Sequence, residues 1–212
     1  GDLHKGQLKE QLMKQAVIDQ IARKTIAVAD GRQTIVFCQT VDQSHALSRV
    51  FTLLGENSVS ICGKTPTMIR RARVDQFRSG KARFLCQVSI CTEGFDVPEA
   101  EVSAMARPTK SQSLYTQIVG RVLRPVTPPQ GDTPTVRRLE IAQSSKPAAT
   151  ILDFVGNTGR HKLINTGDLL GGEYDDDVRA LAVRKASQID GDVDMVDILN
   201  QCRDENERQP RS

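Results

Sequence analysis

The chain has 212 residues, 38% hydrophobic and 26% charged, which is enough apolar content for one sizeable core in a soluble globular domain with an appendage. No apolar run approaches the roughly eighteen residues that a membrane span needs, and the N-terminus lacks the charged-then-apolar order of a secretory leader, so a cytoplasmic location is expected. The net charge of +3 is unevenly spread: Asp168–Ser212 carries 12 acidic and 6 basic residues, leaving that tail at −6 and the preceding part at +9.

From Gln7 to Ala29 the positions Leu8, Leu12, Val17, Ile21 and Val28 recur at loosely helical spacing and predict a lead-in helix. "QTIVFCQT" is a short β-branched run that suits a buried strand. Ser44 to Leu54 then places Ala46, Leu47, Val50, Leu53 and Leu54 on one helical face and stops at Gly55. "NSVSIC" is the next strand, and "TPTMIRRARVDQFRSG" the next helix, with Pro66 at its start and Gly80 past its end. "ARFLCQVSI" and "AEVSAMA" are two further strands, separated by the turn-rich "CTEGFDVPE". A helix follows from about Ser111.

Past Pro125 the prolines of "VTPPQGDTPTVRR" predict a surface insertion over 126–147, with a short strand near Val136 to Ile141. "AATILDFVGN" returns as a strand and turn. Residues 1–165 are expected to form one domain and 166–212 an acidic, partly mobile extension, in which "DDDVRALAVRKASQI" is amphipathic through Val178, Leu181, Ala182 and Ile189. Strands alternating with helices imply an α/β fold, a parallel sheet covered on both faces, with ligands bound beyond the strand ends. Residues just after strands therefore draw notice: Gln39 and Thr40, Gly63 to Thr65, Thr92 to Asp96, and Pro108 to Ser111.

The five cysteines (Cys38, Cys62, Cys86, Cys91 and Cys202) show no C-x-x-C pairing and no histidine cluster, so no metal site and no disulfide framework is expected. "CGKT" at Cys62 to Thr65 lacks the first glycine of a phosphate-cradling loop, because Ser58 occupies that position. In "TEGFDVP", Gly94 permits close backbone approach, and Asp96 offers a carboxylate for a ribose hydroxyl, for an arginine or for its own turn.

In "YTQIVGRVLRP", Gln117, Gly120, Arg121 and Arg124 stand at i, i+3, i+4 and i+7 and share one helical face, while Leu114, Ile118, Val122 and Leu123 tend to the other. Gly120 leaves the polar face open. Two guanidiniums there suit a multivalent anion, acidic neighbours or open solvent, and the spacing leaves all three standing.

In their order and spacing, "TIVFCQT", "GKTPTMIRRARVDQF", "TEGFDVP", "RPTKSQSLYTQIVGRVLRP" and "ILDFVGN" resemble the C-terminal RecA-like lobe of superfamily 2 (DEAD/DEAH-type) helicases, over roughly Gln7 to His161. "TIVFCQT" is similar to motif IV, "TEGFDVP" to motif V, and "QIVGRVLR" to motif VI, Q-x-x-G-R-x-x-R; the "TEGFD" form looks most like bacterial and phage repair or restriction helicases. The resemblance implies a RecA-like lobe without a P-loop. It implies that Arg121 and Arg124 reach the γ-phosphate of ATP, with Arg124 as arginine finger, that Gln117 couples this contact to a domain interface, and that Gly94, Asp96 and Gly120 line the same cleft. Gln39, Thr40, Gly63, Lys64, Ser89 and Thr92 would face a nucleic-acid backbone, and Arg70 would be structural. One departure is Val88, where many relatives carry threonine.

ATP and Mg2+ are the implied cofactors, yet neither a Walker A loop nor a D-E-x-[DH] run is present to hold the metal. The implied partners are DNA, or RNA, and an N-terminal RecA-like lobe of the same parent chain; alone, this piece should be monomeric and inactive as an ATPase. The competing expectation is a non-catalytic interaction module on the same sheet. A dinucleotide enzyme is disfavoured, since no G-x-G-x-x-G follows the first strand.

Overall fold

The computed structural model describes residues 2–88, 96–107, 112–154, 174–189 and 193–208. The chain divides into two compact units, Gly1–Pro108 with Ile118–Phe154, and Thr109–Gln117 with Val155–Ser212. In chain order the elements are α1 (Asp2–Ala29), β1 (Thr34–Cys38), α2 (Val41–Leu53), β2 (Ser58–Ile61), α3 (Thr67–Arg78), β3 (Phe84–Gln87), β4 (Val102–Ala106), α4 (Gln112–Val122), α5 (Pro134–Ala142), β5 (Thr150–Asp153), α6 (Asp176–Ala186) and α7 (Met195–Arg208). The five strands form one parallel sheet in the order β2-β3-β1-β4-β5.

The three inner strands β3, β1 and β4 are buried along their whole length, as expected of mostly apolar strands covered on both faces, and they take the polar Thr34, Gln87 and Ser103 into the interior with them. Edge strands β2 and β5 are mostly half-buried. On one face, Ile21 and Ala22 of α1 and Leu47, Val50 and Phe51 of α2 pack with Val36, Phe84, Cys86 and Ala104. Phe51 and Phe84 stack with centroids 4.2 Å apart and planes 12° from parallel, and the Arg83 guanidinium lies 4.9 Å over Phe84. The alternating residues Ile35, Phe37, Leu85 and Met105 fall on the opposite face and are equally buried. Val88, the departure from the motif pattern, packs against the first of these clusters.

Local chemistry sets the helix ends. Thr40 is the N-cap of α2, its hydroxyl accepting from the Gln43 N–H, and Gly55 turns the chain at φ +88° after that helix. Gly80, at φ +73°, ends α3 as expected. Ser58, which stands where a P-loop glycine would be needed, begins strand β2 and bonds the Ser48 hydroxyl at 3.0 Å.

Three expectations change. The strand anticipated near Val136 to Ile141 is helix α5: Thr133 caps it by accepting from the Val136 N–H, and Pro134 opens its first turn, a start signal that outweighs the β-branched composition. Within the acidic extension, Met195–Arg208, for which no element was expected, is helix α7. Its Ile198, Leu199 and Cys202 bury against Val178 and Ala182 of α6, an amphipathic stripe obscured by the surrounding acids. Tyr174 donates to Asn200 at 2.6 Å and Lys185 to Glu205 at 2.6 Å within the same unit. Ile189, assigned to the apolar face of α6, lies beyond that helix and is exposed.

Among the described cysteines Cys38, Cys86 and Cys202 are buried free thiols, and burial pushes the Cys86 thiol up. No helix among the described residues is long and apolar enough to cross a membrane.

Candidate functional site

Helix α4 presents Ile118, Val119 and Val122 to the interior, and all three are buried. That anchoring turns Gly120 outward, where a Cβ would meet nothing within 4 Å. Arg121 is half-buried, and Gln117, one turn earlier, is exposed. Leu123, expected on the apolar face, is 53% exposed just past the end of the helix at Val122, although its N–H still donates to the Val119 carbonyl at 2.9 Å.

Arg124, two residues past the end of α4, donates from Nη1 to Asp96 Oδ2 at 2.8 Å. Both side chains keep about half their surface in solvent, Arg124 58% and Asp96 46%. The second carboxylate oxygen of Asp96, Oδ1, is buried and has no hydrogen-bond partner among the described residues. The Asp96 backbone is held from the other side, since Arg78 at the end of α3 donates to its carbonyl. The arginine and the motif V carboxylate are thus brought together, although they lie 28 residues apart in sequence.

Beneath this pair lies Lys146, only 4% exposed, on the stretch that leaves α5. Its ammonium donates to the carbonyls of Pro98 at 2.7 Å, Val122 at 2.6 Å and Arg124 at 2.9 Å. Burial pushes its amine below the ordinary lysine range, while the negative charges of Glu101, Glu99 and Asp96 pull it back up.

Of the residues expected to face a nucleic acid, the four that are described, Gln39, Thr40, Gly63 and Lys64, follow the ends of β1 and β2, and none of their hydrogen bonds among the described residues reaches the Asp96–Arg124 pair. Gln39 and Thr40 are exposed. Gln43, which belongs to no motif, organises them: its Oε1 accepts from the Gln39 N–H at 2.7 Å, and its Nε2 donates to the Ala106 carbonyl at 3.0 Å, tying the ends of β1 and β4. Gly63 and Lys64 are exposed on the turn after β2. Arg70 shapes that turn by donating to the carbonyls of Cys62, Gly63 and Thr65 at 3.1–3.3 Å, a structural role. Within it the Thr65 hydroxyl accepts from the Cys62 N–H at 3.0 Å and lies 3.5 Å from the thiol, lowering the Cys62 pKa.

Ser89, Thr92 and Gly94 lie outside the described residues. Among the described residues no cluster of three or more His, Cys, Asp or Glu side chains could hold a metal ion.

A five-stranded parallel sheet in this order, with helices between its strands, is the architecture of a RecA-like lobe. Residues 13–126 match the helicase conserved C-terminal domain, and the chain belongs to that family, the C-terminal lobe of superfamily 2 helicases. The chain is 31% identical over 124 residues to a 51.5 kDa protein of a Lactococcus phage (isolate 7-9), covering 58% of this chain and 27% of that one. It is 33% identical over 123 residues to irc3 of Schizosaccharomyces pombe, which carries the name of a mitochondrial ATP-dependent helicase, covering 58% and 20%. Among solved structures, the E. coli DEAD-box protein SrmB bound to regulator of ribonuclease activity A aligns with a TM-score of 0.49 at 15% identity, over 64% of this chain and 72% of that one. The chain therefore spans about a quarter or less of the length of these two curated relatives.

Proposed function

We propose that this domain is the second motor lobe of an ATP-dependent nucleic-acid helicase or translocase, completing an ATP site whose phosphate loop and Mg2+ ligands belong to another lobe. The observation that carries the reading is the Arg124–Asp96 pair: the terminal motif VI arginine is held by a motif V carboxylate, yet stays more than half exposed. An exposed ion pair is worth about 0–1 kcal/mol, so it restrains the guanidinium without competing strongly for it. Arginine–phosphate contacts are charge-assisted and often bidentate, and a γ-phosphate brought to the cleft wins Arg124 from Asp96. The released carboxylate, whose Oδ1 already lacks a partner among the described residues, can then accept from a ribose hydroxyl.

ATP supplies the phosphoryl group that is transferred to water, and the part of this chain is to stabilise charge with Arg124 and Arg121 while Gly120 lets the neighbouring lobe approach. Gln117 couples that approach to the same helix. Gln39, Thr40, Gly63 and Lys64 meet the phosphate backbone of a DNA or RNA strand, so opening and closing of the two lobes moves the strand. By itself the chain does not turn over ATP. The deciding experiment is steady-state ATP hydrolysis by this chain alone and by the complete protein, each with single-stranded nucleic acid: activity that requires the other lobe and collapses with Arg124→Ala supports the reading, and comparable turnover by the isolated chain sinks it.

A further inference from the structure

We infer that Lys146 is the positioning residue for the motif VI arginine, a three-carbonyl clamp that fixes the end of helix α4 against the motif V segment and so sets where Arg124 points. The inference rests on the motor reading above. Helix C-termini leave carbonyls without intrahelical partners, and a buried end needs donors from elsewhere. Here the Val122 and Arg124 carbonyls, which flank Leu123 at the exit of α4, both receive the Lys146 ammonium, at 2.6 and 2.9 Å. The third N–H goes to Pro98, two residues after Asp96, at 2.7 Å. All three donors of the ammonium are used, and they join the backbones that carry both members of the ion pair.

Geometry explains why lysine is suited to this place. Its long stem can be buried while its head supplies three donors from one point, whereas a guanidinium spreads its donors over a plane. The chain is prepared to deliver it: α5 ends at Ala142 with Gln143 as its C-cap, the Ser144 hydroxyl donates to the Ile141 carbonyl at 2.7 Å, and the same hydroxyl accepts from the Lys146 N–H at 3.2 Å. The proline-rich excursion thus ends by sending one cation inward beneath the site. Loss of the clamp leaves three carbonyls without this donor and frees the Arg124 backbone. A displacement of about 1 Å at a catalytic group lowers a rate by up to about 10²-fold.

The test is ATP turnover by the complete helicase chain carrying Lys146→Met, Arg124→Ala, or both, alongside thermal melting of each. A clamp lowers kcat about tenfold to 10²-fold in Lys146→Met, leaves KM for ATP within about threefold, and causes no further loss in the Arg124→Ala background. Undiminished kcat in folded Lys146→Met overturns the inference, as does an equal further loss on the Arg124→Ala background, which marks a merely structural role. If Lys146→Met does not fold, Lys146→Gln, which keeps donors but no charge and a shorter reach, carries the test: kcat between parent and Arg124→Ala supports the clamp, and parental kcat overturns it. Full activity in Arg124→Ala instead overturns the motor reading and the inference with it; loss in Arg124→Ala with parental activity in Lys146→Met overturns the inference alone.

Discussion

Arg124 and Asp96 meet at 2.8 Å with about half of each side chain in solvent, so the contact is a weak tether between the end of α4 and the segment that leads into β4. Its effect on folding and its effect on chemistry should be very different in size.

On stability, the coupling energy in an Arg124→Ala, Asp96→Ala double-mutant cycle should be below about 1 kcal/mol by urea denaturation of this chain. Coupling of several kcal/mol would mean that the pair is part of the scaffold, with Arg124 not released to a nucleotide.

On chemistry, Arg124→Ala in the complete helicase should reduce kcat for ATP hydrolysis on the order of 10³–10⁵-fold, the range for an arginine that stabilises a transferred phosphoryl group. Arg124→Lys should recover little of this, because the flat two-pronged donor is lost. A loss under about tenfold in steady-state turnover would remove Arg124 from the catalytic role.

Binding of single-stranded DNA or RNA to this chain should weaken with salt. With about three to five phosphate contacts, the slope of log affinity against log salt should be about −2 to −3.5, from roughly 0.7 per contact. Fluorescence anisotropy over a salt series measures it directly, and a flat response would count against Gln39, Thr40, Gly63 and Lys64 as backbone contacts.

The Cys62 thiol should ionise at lower pH than a free cysteine, since Thr65 stabilises its thiolate. Because the folded pKa is lowered, the associated stabilisation is present above the unfolded value and lost as pH falls through the folded one. Alkylation rates followed by mass spectrometry from mildly acidic to alkaline pH should therefore rise earlier at Cys62 than at an unfolded-peptide cysteine, and Thr65→Val should move the midpoint upward. Identical profiles for parent and Thr65→Val would rule out the hydroxyl as the cause.

Phe51→Ala should cost about 3–5 kcal/mol, because the ring is fully buried and stacked on Phe84. Thr133→Ala should cost only about 1 kcal/mol, the value of an N-cap, and act on α5. Chemical denaturation distinguishes the two, and equal costs would contradict the placement of Phe51 at the core.

The sheet and the arginine-bearing helix were legible in the order of the residues. Mostly apolar runs such as "TIVFC" and "VSAMA" suit strands buried on both faces, and the i, i+3 and i+4 spacing of Gln117, Gly120 and Arg121 is a property of the helix alone, whereas Arg124 lies two residues past its end. Helix α5 and helix α7 were harder to read. A cap at Thr133 overrides β-branched composition, and the Ile198, Leu199 and Cys202 stripe becomes visible only once α6 supplies its partner surface.

What holds the arginine depends on contacts made by the folded chain. Nothing in the spacing of Asp96, Arg124 and Lys146 relates them, because an ion pair across 28 residues and a clamp reaching back 48 residues to Pro98 exist only after the chain has folded back on itself. A short polar pattern encodes the direction of a side chain from its own helix, whereas the partner it meets is set by long-range backbone geometry, to which a lysine at the end of a proline-rich excursion gives no local clue.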